Sequence, residues 1–297
     1  MAAGPFGTLR TQRRAPLKPA LLMLAVIAGQ MRSPAQADPA ERVLALGGAV
    51  TEIVYALGQG DRLVARDTTS TYPPEAAALP DVGYVRALSP EGVLSVAPDL
   101  ILAIEGSGPP ETMEVLRAAD IALATVPEGY DATAIVAKIT VVAQALEVPE
   151  AGARLVAEVE AALAGAIAAG RTQTPPRVLF ILSLQGGRIM AAGADTAAQG
   201  IIELAGGVNA LSGFNGYQQV SDEAVLLADP DVILMMDRSG EHAAEATDIL
   251  THPVLGQTRA AQTGAILHQP GLLLLGFGPR TPQAVEALSA AFRQAQG

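Results

Sequence analysis

The sequence contains no cysteine and few charged residues. Without cysteine the chain can form no disulfide framework, and no cysteine can carry a lipid anchor at an export cleavage site. Charged residues make up 16% of the 297 residues, and hydrophobic residues make up 50%. That composition can build a sizeable core, organised as one large or two medium domains.

Basic residues are scarcer than acidic ones: 19 Lys and Arg against 30 Asp and Glu give a formal net charge of −11. Five of the basic residues lie within residues 1–37, which contain no acidic residue, so removal of that segment leaves a net charge of −16 on 260 residues. An acidic surface repels phosphate backbones and anionic lipids. We therefore expect no binding to nucleic acid and no direct membrane anchor.

Common enzyme motifs are also missing. The sequence has no cysteine nucleophile, no Gly-x-x-x-x-Gly-Lys phosphate loop, no Gly-x-Ser-x-Gly elbow and no clustered histidines. No paired-carboxylate motif of a carbohydrate-active α/β protein is visible either. We therefore expect a protein that is not an enzyme.

Residues 1–37 are predicted to be an export signal that is cleaved near Ala37. The basic front consists of Arg10, Arg13, Arg14 and Lys18. An apolar run at 20–28 follows, shorter than the about 20 residues of a membrane span, and Ala35-Gln36-Ala37 offers a small-x-small cleavage site. The paired arginines leave twin-arginine export open beside the general route. The predicted location is the periplasm.

Along the rest of the chain, short apolar runs alternate with alanine-rich amphipathic stretches. The stretches Thr51–Leu57 and Thr112–Ala119 are predicted to be helices, and eight runs to be buried parallel strands. The predicted strands are Arg42–Leu46, Arg62–Ala65, Leu100–Ile104, Ile121–Val126, Arg177–Leu182, Arg188–Ala191, Asp231–Met236 and Ala265–His268. This alternation predicts an α/β fold, with parallel sheets covered by helices on both faces.

An internal repeat suggests two lobes of similar build. The segment Ser89–Ala103 is identical to Ser221–Met235 at eight of fifteen positions, although any helix followed by Pro-Asp and a strand would look similar. Between them, Pro149 opens a predicted helix of some 20 residues, which would span about 30 Å and could bridge two lobes. The predicted organisation is a signal peptide at 1–37, an N-terminal lobe at 38–148, a bridging helix at 149–170 and a C-terminal lobe at 171–297.

Two segments about two hundred residues apart resemble one protein family. They are Thr68-Thr-Ser-Thr-Tyr-Pro-Pro-Glu75 and Gln262–Arg280, which ends in Leu-Leu-Leu-Leu-Gly-Phe-Gly-Pro-Arg. Together they resemble the haem-binding periplasmic component of bacterial ABC haem importers, and the resemblance covers the chain after the leader. It implies two Rossmann-like lobes joined by a single long helix, as in class III periplasmic binding proteins, with the ligand in the cleft between the lobes.

The resemblance also implies a ligand and partners. Haem would be the transported ligand, an ABC permease with its ATPase would receive it, and an outer-membrane haem receptor would act upstream. A cobalamin or a ferric siderophore on the same scaffold is the alternative ligand, and the two segments quoted above favour haem over it.

Tyr72 is the candidate ligand of the haem iron. It follows the predicted strand Arg62–Ala65 and precedes Pro73, and a residue before proline is held in extended geometry. A phenolate oxygen suits ferric haem iron, and the resemblance implies this role for Tyr72. Some relatives carry a second ligand, a histidine, in the loop that here reads Ser183–Arg188 without one. A single five-coordinate haem is therefore favoured.

Further residues are predicted to line the haem pocket. The two propionates of haem call for arginine or backbone donors, and the resemblance implies this role for Arg86 and for Arg238, which follows a predicted strand directly. It also implies that Tyr84 borders the pocket. Tyr217 is predicted to be a contact from the opposing lobe.

The resemblance implies that the protein docks on its permease through one glutamate on each lobe. The matching positions are Glu52 and Glu203, each of which interrupts an apolar stretch at the start or end of a helix. The alternative for each is an ordinary glutamate facing solvent.

Overall fold

The computed structural model describes Met1, residues 39–237 and residues 246–296. The predicted signal peptide after Met1 and the predicted pocket residue Arg238 lie outside the described residues. Within the described residues, no helix combines the length and the apolar composition that a membrane crossing requires.

The first sheet has four parallel strands in the order β2-β1-β3-β4. Its strands are β1 (Val43–Leu46), β2 (Leu63–Arg66), β3 (Leu100–Ile104) and β4 (Ala122–Val126). The helices along this half are α1 (Gly48–Ala56), α2 (Pro74–Ala77), α3 (Pro90–Ser95), α4 (Pro110–Ala118) and α5 (Ala132–Ala145). Because all four strands are parallel, their carboxyl ends lie at one edge of the sheet, where ligands of open α/β sheets bind.

The second sheet has six strands and follows a long helix, α6 (Pro149–Gly170), in the chain. Its strands are β5 (Arg177–Gln185), β6 (Arg188–Ala192), β7 (Val208–Asn209), β8 (Tyr217–Val220), β9 (Val232–Asp237) and β10 (Ile266–Pro270). The described helices of this half are α7 (Ala197–Leu204), α8 (Asp222–Ala228), α9 (Ala246–Thr251), α10 (Arg259–Thr263), α11 (Gly271–Leu275) and α12 (Thr281–Gln296). All eight predicted strands are present, with bounds that differ by at most three residues at either end.

One predicted strand runs in the other direction. β6 pairs antiparallel with β5, whereas Arg188–Ala191 was predicted to be a parallel strand. Gly186 and Gly187 both have positive φ, 56° and 75°, and form the whole connection. A two-residue connection of this kind joins only antiparallel neighbours, because a parallel pair needs a crossover. The unpredicted strand β8 extends the antiparallel part by pairing with β6.

The edge strands are also less buried than predicted. Along β4, Val126 is the one buried residue, and β10 has no fully buried residue. Each strand lies at the end of its sheet, where one side has no neighbouring strand to cover it.

The larger of two buried hydrophobic clusters includes residues of both sheets, and the smaller one lies within the half of the chain that forms the second sheet. Leu44 and Phe180 belong to the same buried cluster, although one lies in β1 and the other in β5. The close approach of α11 to α1 contributes to it. A Cβ on Gly48 would lie 2.4 Å from Leu272 Cδ1 and 2.7 Å from the backbone oxygen of Thr69, which favours glycine there. Helix α12 packs along α6. Residues Pro39–Gly297 consequently form one compact unit, and the division into two lobes at the predicted boundaries stays a prediction.

Candidate ligand-binding site

The loop that leads from β2 to Tyr72 is fixed by a buried carboxylate. The side chain of Asp67 is fully buried. Its Oδ1 accepts hydrogen bonds from the backbone N–H of Gly47 at 2.9 Å and from Ser70 Oγ at 2.7 Å. Its Oδ2 accepts from the backbone N–H of Thr69 at 2.8 Å and from Thr69 Oγ1 at 2.6 Å. Both oxygens of the buried carboxylate are thus satisfied, as burial of a polar group requires.

Two further hydrogen bonds join this loop to helix α1. Thr51 Oγ1 and Ser70 Oγ lie 2.7 Å apart in the interior, and the backbone N–H of Gly48 donates to Thr69 Oγ1 at 3.1 Å. The Thr-Ser run that the sequence analysis singled out is therefore a structural network. It holds the chain immediately before Tyr72 against the beginning of α1.

Tyr72 is half-exposed, with 40% of its surface accessible. It precedes Pro73 through a cis peptide bond, and Pro73 occupies the N-cap position of the short helix α2. The guanidinium carbon of Arg280 lies 3.5 Å from the centroid of the Tyr72 ring, which is within the range of a cation–π contact. The Asp67 hydrogen bonds thus fix the backbone before Tyr72, and Arg280 packs against the Tyr72 ring.

Glu52 is the partner of Arg280, and this corrects one prediction. The Glu52 side chain is buried, at 5% exposure, and one of its oxygens accepts a hydrogen bond from Arg280 Nη2. Burial raises the pKa of the Glu52 carboxyl, and the hydrogen bond and charge of Arg280 act in the opposite direction. A buried and paired carboxylate cannot reach a permease, so the docking role predicted for Glu52 is contradicted by its position inside the protein.

Arg86 and Tyr84 lie in the loop before α3, and both are exposed. Arg86 Nη1 donates to the backbone oxygen of Gly106 at 3.0 Å. A Cβ at Gly106 would lie 2.7 Å from that nitrogen, so the glycine lets the guanidinium lie against the segment that follows β3. Its remaining N–H groups are available to an acidic group of a ligand.

Tyr130 is a site residue that the sequence analysis missed. It follows the carboxyl end of β4, and its position just past a predicted parallel strand was the available signal. Burial raises the pKa of its phenol, as does the nearby Glu128 carboxylate, while the Arg86 guanidinium lowers it. Tyr130 is therefore close to Arg86 at the same edge of the first sheet.

Tyr217 reaches the same neighbourhood from the second sheet. It begins β8, and its ring contacts Phe180 edge to face at a centroid distance of 6.2 Å. Burial raises the pKa of the Tyr217 phenol, a hydrogen bond with the backbone of Ala198 lowers it, and the nearby Tyr130 raises it. A Cβ on Gly200 of α7 would lie 2.2 Å from the backbone oxygen of Tyr130, so residues of the two halves of the chain meet here.

The segment from Phe277 to Arg280 connects these groups. Phe277 contacts Tyr130, with ring centroids 5.6 Å apart, and Arg280 contacts Tyr72. The Gly-Phe-Gly-Pro-Arg sequence therefore contributes contacts on both sides of the candidate site. Two cavities, of about 350 and about 650 Å³, are lined by other residues, around Arg62 and Arg259.

Among the described residues, no group of three or more histidine, aspartate or glutamate side chains could hold a metal ion. His252 has structural contacts: its Nδ1 accepts from the backbone N–H of Val254 at 3.2 Å, and its Nε2 lies 3.1 Å from the oxygen of Gly187.

Glu203 is exposed, and its Oε1 accepts a hydrogen bond from Gln199 one turn earlier on α7. Its predicted docking role is compatible with that exposure and stays a prediction.

The internal repeat has matched contacts in the structure. Ser89 caps α3 and Ser221 caps α8, each by accepting a hydrogen bond from the third following N–H. Asp99 accepts a hydrogen bond from the backbone N–H of Arg42, which directly precedes β1. Asp231 accepts one from the backbone N–H of Arg177, the first residue of β5. The repeat therefore has the same hydrogen-bond pattern in both sheets.

The fold and the site define a substrate-binding protein built from two α/β sheets joined by a long helix. The sequence profile of the periplasmic binding protein family matches residues 43–271, and the chain belongs to this family. The predicted fold class, that of class III periplasmic binding proteins, is confirmed. Members and structural neighbours of this family are substrate-binding transport proteins rather than enzymes.

The solved structures with similar folds include haem-binding proteins. The periplasmic haem-binding protein RhuT from Roseiflexus sp. RS-1, in apo form, is 41% identical with a TM-score of 0.83, covering 86% of this chain and 99% of that one. The periplasmic haem-binding protein BhuT in complex with two haems is 40% identical with a TM-score of 0.82 and the same coverage. A vitamin B12-binding protein of Vibrio cholerae is 30% identical over 269 residues, covering 87% of this chain and 91% of its own length.

Proposed function

We propose that this protein binds haem in the periplasm and delivers it to an ABC permease. The observation that carries the proposal is the presentation of Tyr72. A half-exposed phenol is held by a buried hydrogen-bond network on one side and by an arginine on the other. Ferric haem iron is a suitable partner for such a hard oxygen ligand. The 40% and 41% identities to haem-binding proteins of known structure support the same ligand.

The other residues of the site are suited to the rest of the haem molecule. Arg86 and Arg238 are proposed to pair with the propionates, since guanidinium groups bind carboxylates through paired N–H donors. Tyr84 and Tyr217 are proposed to contact the porphyrin. We add Tyr130, because its ring contacts Phe277 of the Gly-Phe-Gly-Pro-Arg segment at a centroid distance of 5.6 Å.

Cobalamin is the second candidate ligand. The observation in its favour is the 30% identity to the vitamin B12-binding protein over most of both chains. A ferric siderophore on the same scaffold is a third possibility. Tyr72 separates the candidates, because a phenolate supplies an axial ligand to ferric haem and the two other ligands would bind without forming an iron–tyrosinate haem spectrum.

Ligand titrations of the purified protein without residues 1–37 test the proposal. Hemin, cyanocobalamin and a ferric siderophore are added in separate experiments, and binding is followed by absorbance and by calorimetry. The expected result is a shifted Soret band with a phenolate-to-iron charge-transfer band, at a ratio of about one hemin per protein. Tight binding of cyanocobalamin with no hemin saturation would replace haem by cobalamin as the ligand.

Export is part of the proposal. Residues 1–37 are proposed to be removed after Ala37 on passage to the periplasm, since their basic front, short apolar run and small-residue site form an export signal. Amino-terminal sequencing of the protein from a periplasmic fraction checks this, and an intact Met1 in that fraction would contradict it.

The permease contact is proposed to involve a pair of glutamates at equivalent positions. Glu91 and Glu223 occupy the same position of the internal repeat, in the first turn of α3 and of α8, and both are exposed. Hydrogen bonds from its own backbone and from Ser221 lower the pKa of Glu223, so this carboxylate stays charged. Two equivalent charges suit a partner made of two similar transmembrane subunits. Glu203 remains the competing position on the second half of the chain.

A further inference from the structure

Arg280 belongs to the half of the chain that forms the second sheet, yet its guanidinium contacts two residues of the half that forms the first sheet. Its guanidinium carbon lies 3.5 Å from the centroid of the Tyr72 ring, and its Nη2 donates to the buried Glu52 of α1. The side chain itself is mostly buried, at 19% exposure. A planar guanidinium can stack on an aromatic ring and bind a carboxylate at the same time, which the ammonium group of lysine cannot do equally well.

The backbone before Arg280 is shaped to allow this contact. A Cβ at Gly278 would lie 3.2 Å from Glu52 Oε2 and 3.5 Å from Ala49 Cβ, so glycine lets the segment run directly against α1. Thr281 Oγ1 donates to the oxygen of Gly278 at 2.8 Å, and Phe277 is buried beside Tyr130. Arg280 is therefore fixed at its backbone by its neighbours and at its tip by Glu52.

We propose that Arg280 is a positioning residue for Tyr72, and that Glu52 anchors Arg280 so that the phenol oxygen is presented in one direction to the bound ligand. A half-exposed tyrosine would otherwise rotate about two side-chain bonds. Because the Arg280 guanidinium packs on one face of the ring, it restricts rotation of the ring. The phenol oxygen then points in one direction before the ligand binds. The inference rests on the proposed function, since it concerns the residue that would bind the haem iron.

The competing explanation is that Arg280 binds a haem propionate directly. The two explanations differ in whether the effect of Arg280 passes through Tyr72. If Arg280 acts through Tyr72, removal of the guanidinium changes haem binding only while the phenol oxygen is present. If Arg280 contacts the haem, its removal weakens binding whether the phenol oxygen is present or not. A double-mutant cycle separates the two cases.

The experiment compares hemin affinity in wild type, Arg280→Met, Tyr72→Phe and the double variant, together with Glu52→Gln and Arg280→Lys. We expect Arg280→Met to weaken hemin binding by about tenfold, the scale of one partly desolvated cation–π contact, and to shift the charge-transfer band. In the Tyr72→Phe background the same change should have no further effect. Glu52→Gln should give a smaller loss in the same direction, and Arg280→Lys should not restore full affinity.

Arg293→Met is the matched control, since Arg293 is an exposed arginine of α12 that donates to the backbone oxygen of Ala169. It should bind hemin as wild type does. Equal weakening by Arg280→Met in both Tyr72 backgrounds, or no weakening in either, overturns the proposal. Circular dichroism and thermal unfolding identify a variant that fails to fold, and Arg280→Lys and Glu52→Gln then carry the test because they change the fold least.

A second readout needs no haem. In apo protein with labelled tyrosine, the ring resonances of Tyr72, assigned by their loss in Tyr72→Phe, should move in Arg280→Met while those of Tyr84 do not. Unchanged Tyr72 resonances would overturn the contact itself. If wild type binds no hemin but its Tyr72 resonances depend on Arg280, the proposed function fails and the contact stands, so the two failures are distinguishable.

Discussion

Tyr130 and Phe277 form an edge-to-face aromatic pair, with ring centroids 5.6 Å apart and an interplanar angle of 62°. Tyr130 follows the last strand of the first sheet, and Phe277 follows α11. The fully buried Lys138, paired with Glu128 at 2.7 Å, places its ammonium 5.8 Å from the same Phe277 ring. Phe277, from the second half of the chain, thus contacts both Tyr130 and the buried Lys138 of the first half.

Truncation of Phe277 should destabilise the whole protein. Phe277→Ala is expected to lower the free energy of unfolding by about 3–5 kcal/mol, the usual cost of emptying a buried phenylalanine site. Urea denaturation measures it. Leu227→Ala is the control, because Leu227 is 88% exposed and a surface change of this kind usually stays within about 0.5 kcal/mol. If Phe277→Ala lowers the free energy of unfolding by less than about 1 kcal/mol, the contacts of Phe277 contribute little to stability.

Removal of the phenol oxygen of Tyr72 should weaken haem binding and leave the fold unchanged. Tyr72→Phe keeps the ring that contacts Arg280 and deletes the proposed iron ligand. We expect loss of the phenolate-to-iron charge-transfer band and at least about tenfold weaker hemin binding, which corresponds to about 1.4 kcal/mol. Absorbance titration measures both. Tyr55→Phe is the control at a tyrosine outside the site, and an unchanged spectrum in Tyr72→Phe would remove Tyr72 as the ligand.

The pH dependence of stability should report the burial of Glu52. Because its pKa is raised in the folded protein, the folded state binds the proton more tightly than the unfolded state does. The stability that this group contributes is fully present below the ordinary value of 4.5 and is lost as pH rises through the raised value. The free energy of unfolding of wild type, relative to that of Glu52→Gln, should therefore fall as pH rises from about 4.5. Urea denaturation of both proteins at a series of pH values checks this, and a constant difference would contradict it.

Charge reversal should separate haem capture from haem delivery. Glu91→Lys together with Glu223→Lys should abolish uptake through the cognate permease and leave the hemin spectrum intact, because exposed charges govern encounter between partners. Each single reversal should give a partial loss that shrinks as salt is added. Uptake by reconstituted permease is the measurement.

Two further variants complete that experiment. Glu158→Lys, at an exposed position of α6, is the matched control and should transport normally. Glu203→Lys tests the competing position on α7. Normal transport by the double variant, with a loss in Glu203→Lys, would move the contact from Glu223 to Glu203.

The alternation of apolar runs and amphipathic stretches was sufficient to predict the parallel strands, since a buried strand such as Leu100–Ile104 is apolar at every position. The predicted direction of β6 was wrong, because the residues of β6 after Arg188 are as apolar as those of a parallel strand. The deciding signal was Gly186-Gly187, because two glycines between apolar runs are typical of an antiparallel hairpin turn, and the structure gives both glycines the positive φ that such a turn needs.

The hydrophobic pattern of the sequence could place Tyr72 only in the loop that follows β2, because β2 ends at Arg66 and a polar run separates that strand from Tyr72. The proposed role of Tyr72 came from the family resemblance. Glu52 was misassigned because its surroundings in the sequence show only that α1 is apolar. Its partner Arg280 is distant in the chain, just before α12. No local sequence pattern links an isolated glutamate to an arginine from the other half of the chain. Contacts of that range depend on how the two sheets pack, which hydrophobic periodicity does not encode.

The shared core of the two sheets has a consequence for how the protein unfolds. Leu44 and Phe180 lie in one buried cluster, and α11 is packed against α1 through the space that Gly48 leaves. Neither half can lose its structure without exposing apolar surface of the other, so melting should be all-or-none, with calorimetric and van't Hoff enthalpies that agree. A ligand bound through Tyr72 alone should then raise the melting temperature of the entire chain. States in which one half is unfolded and an edge strand is exposed should therefore be rarely populated.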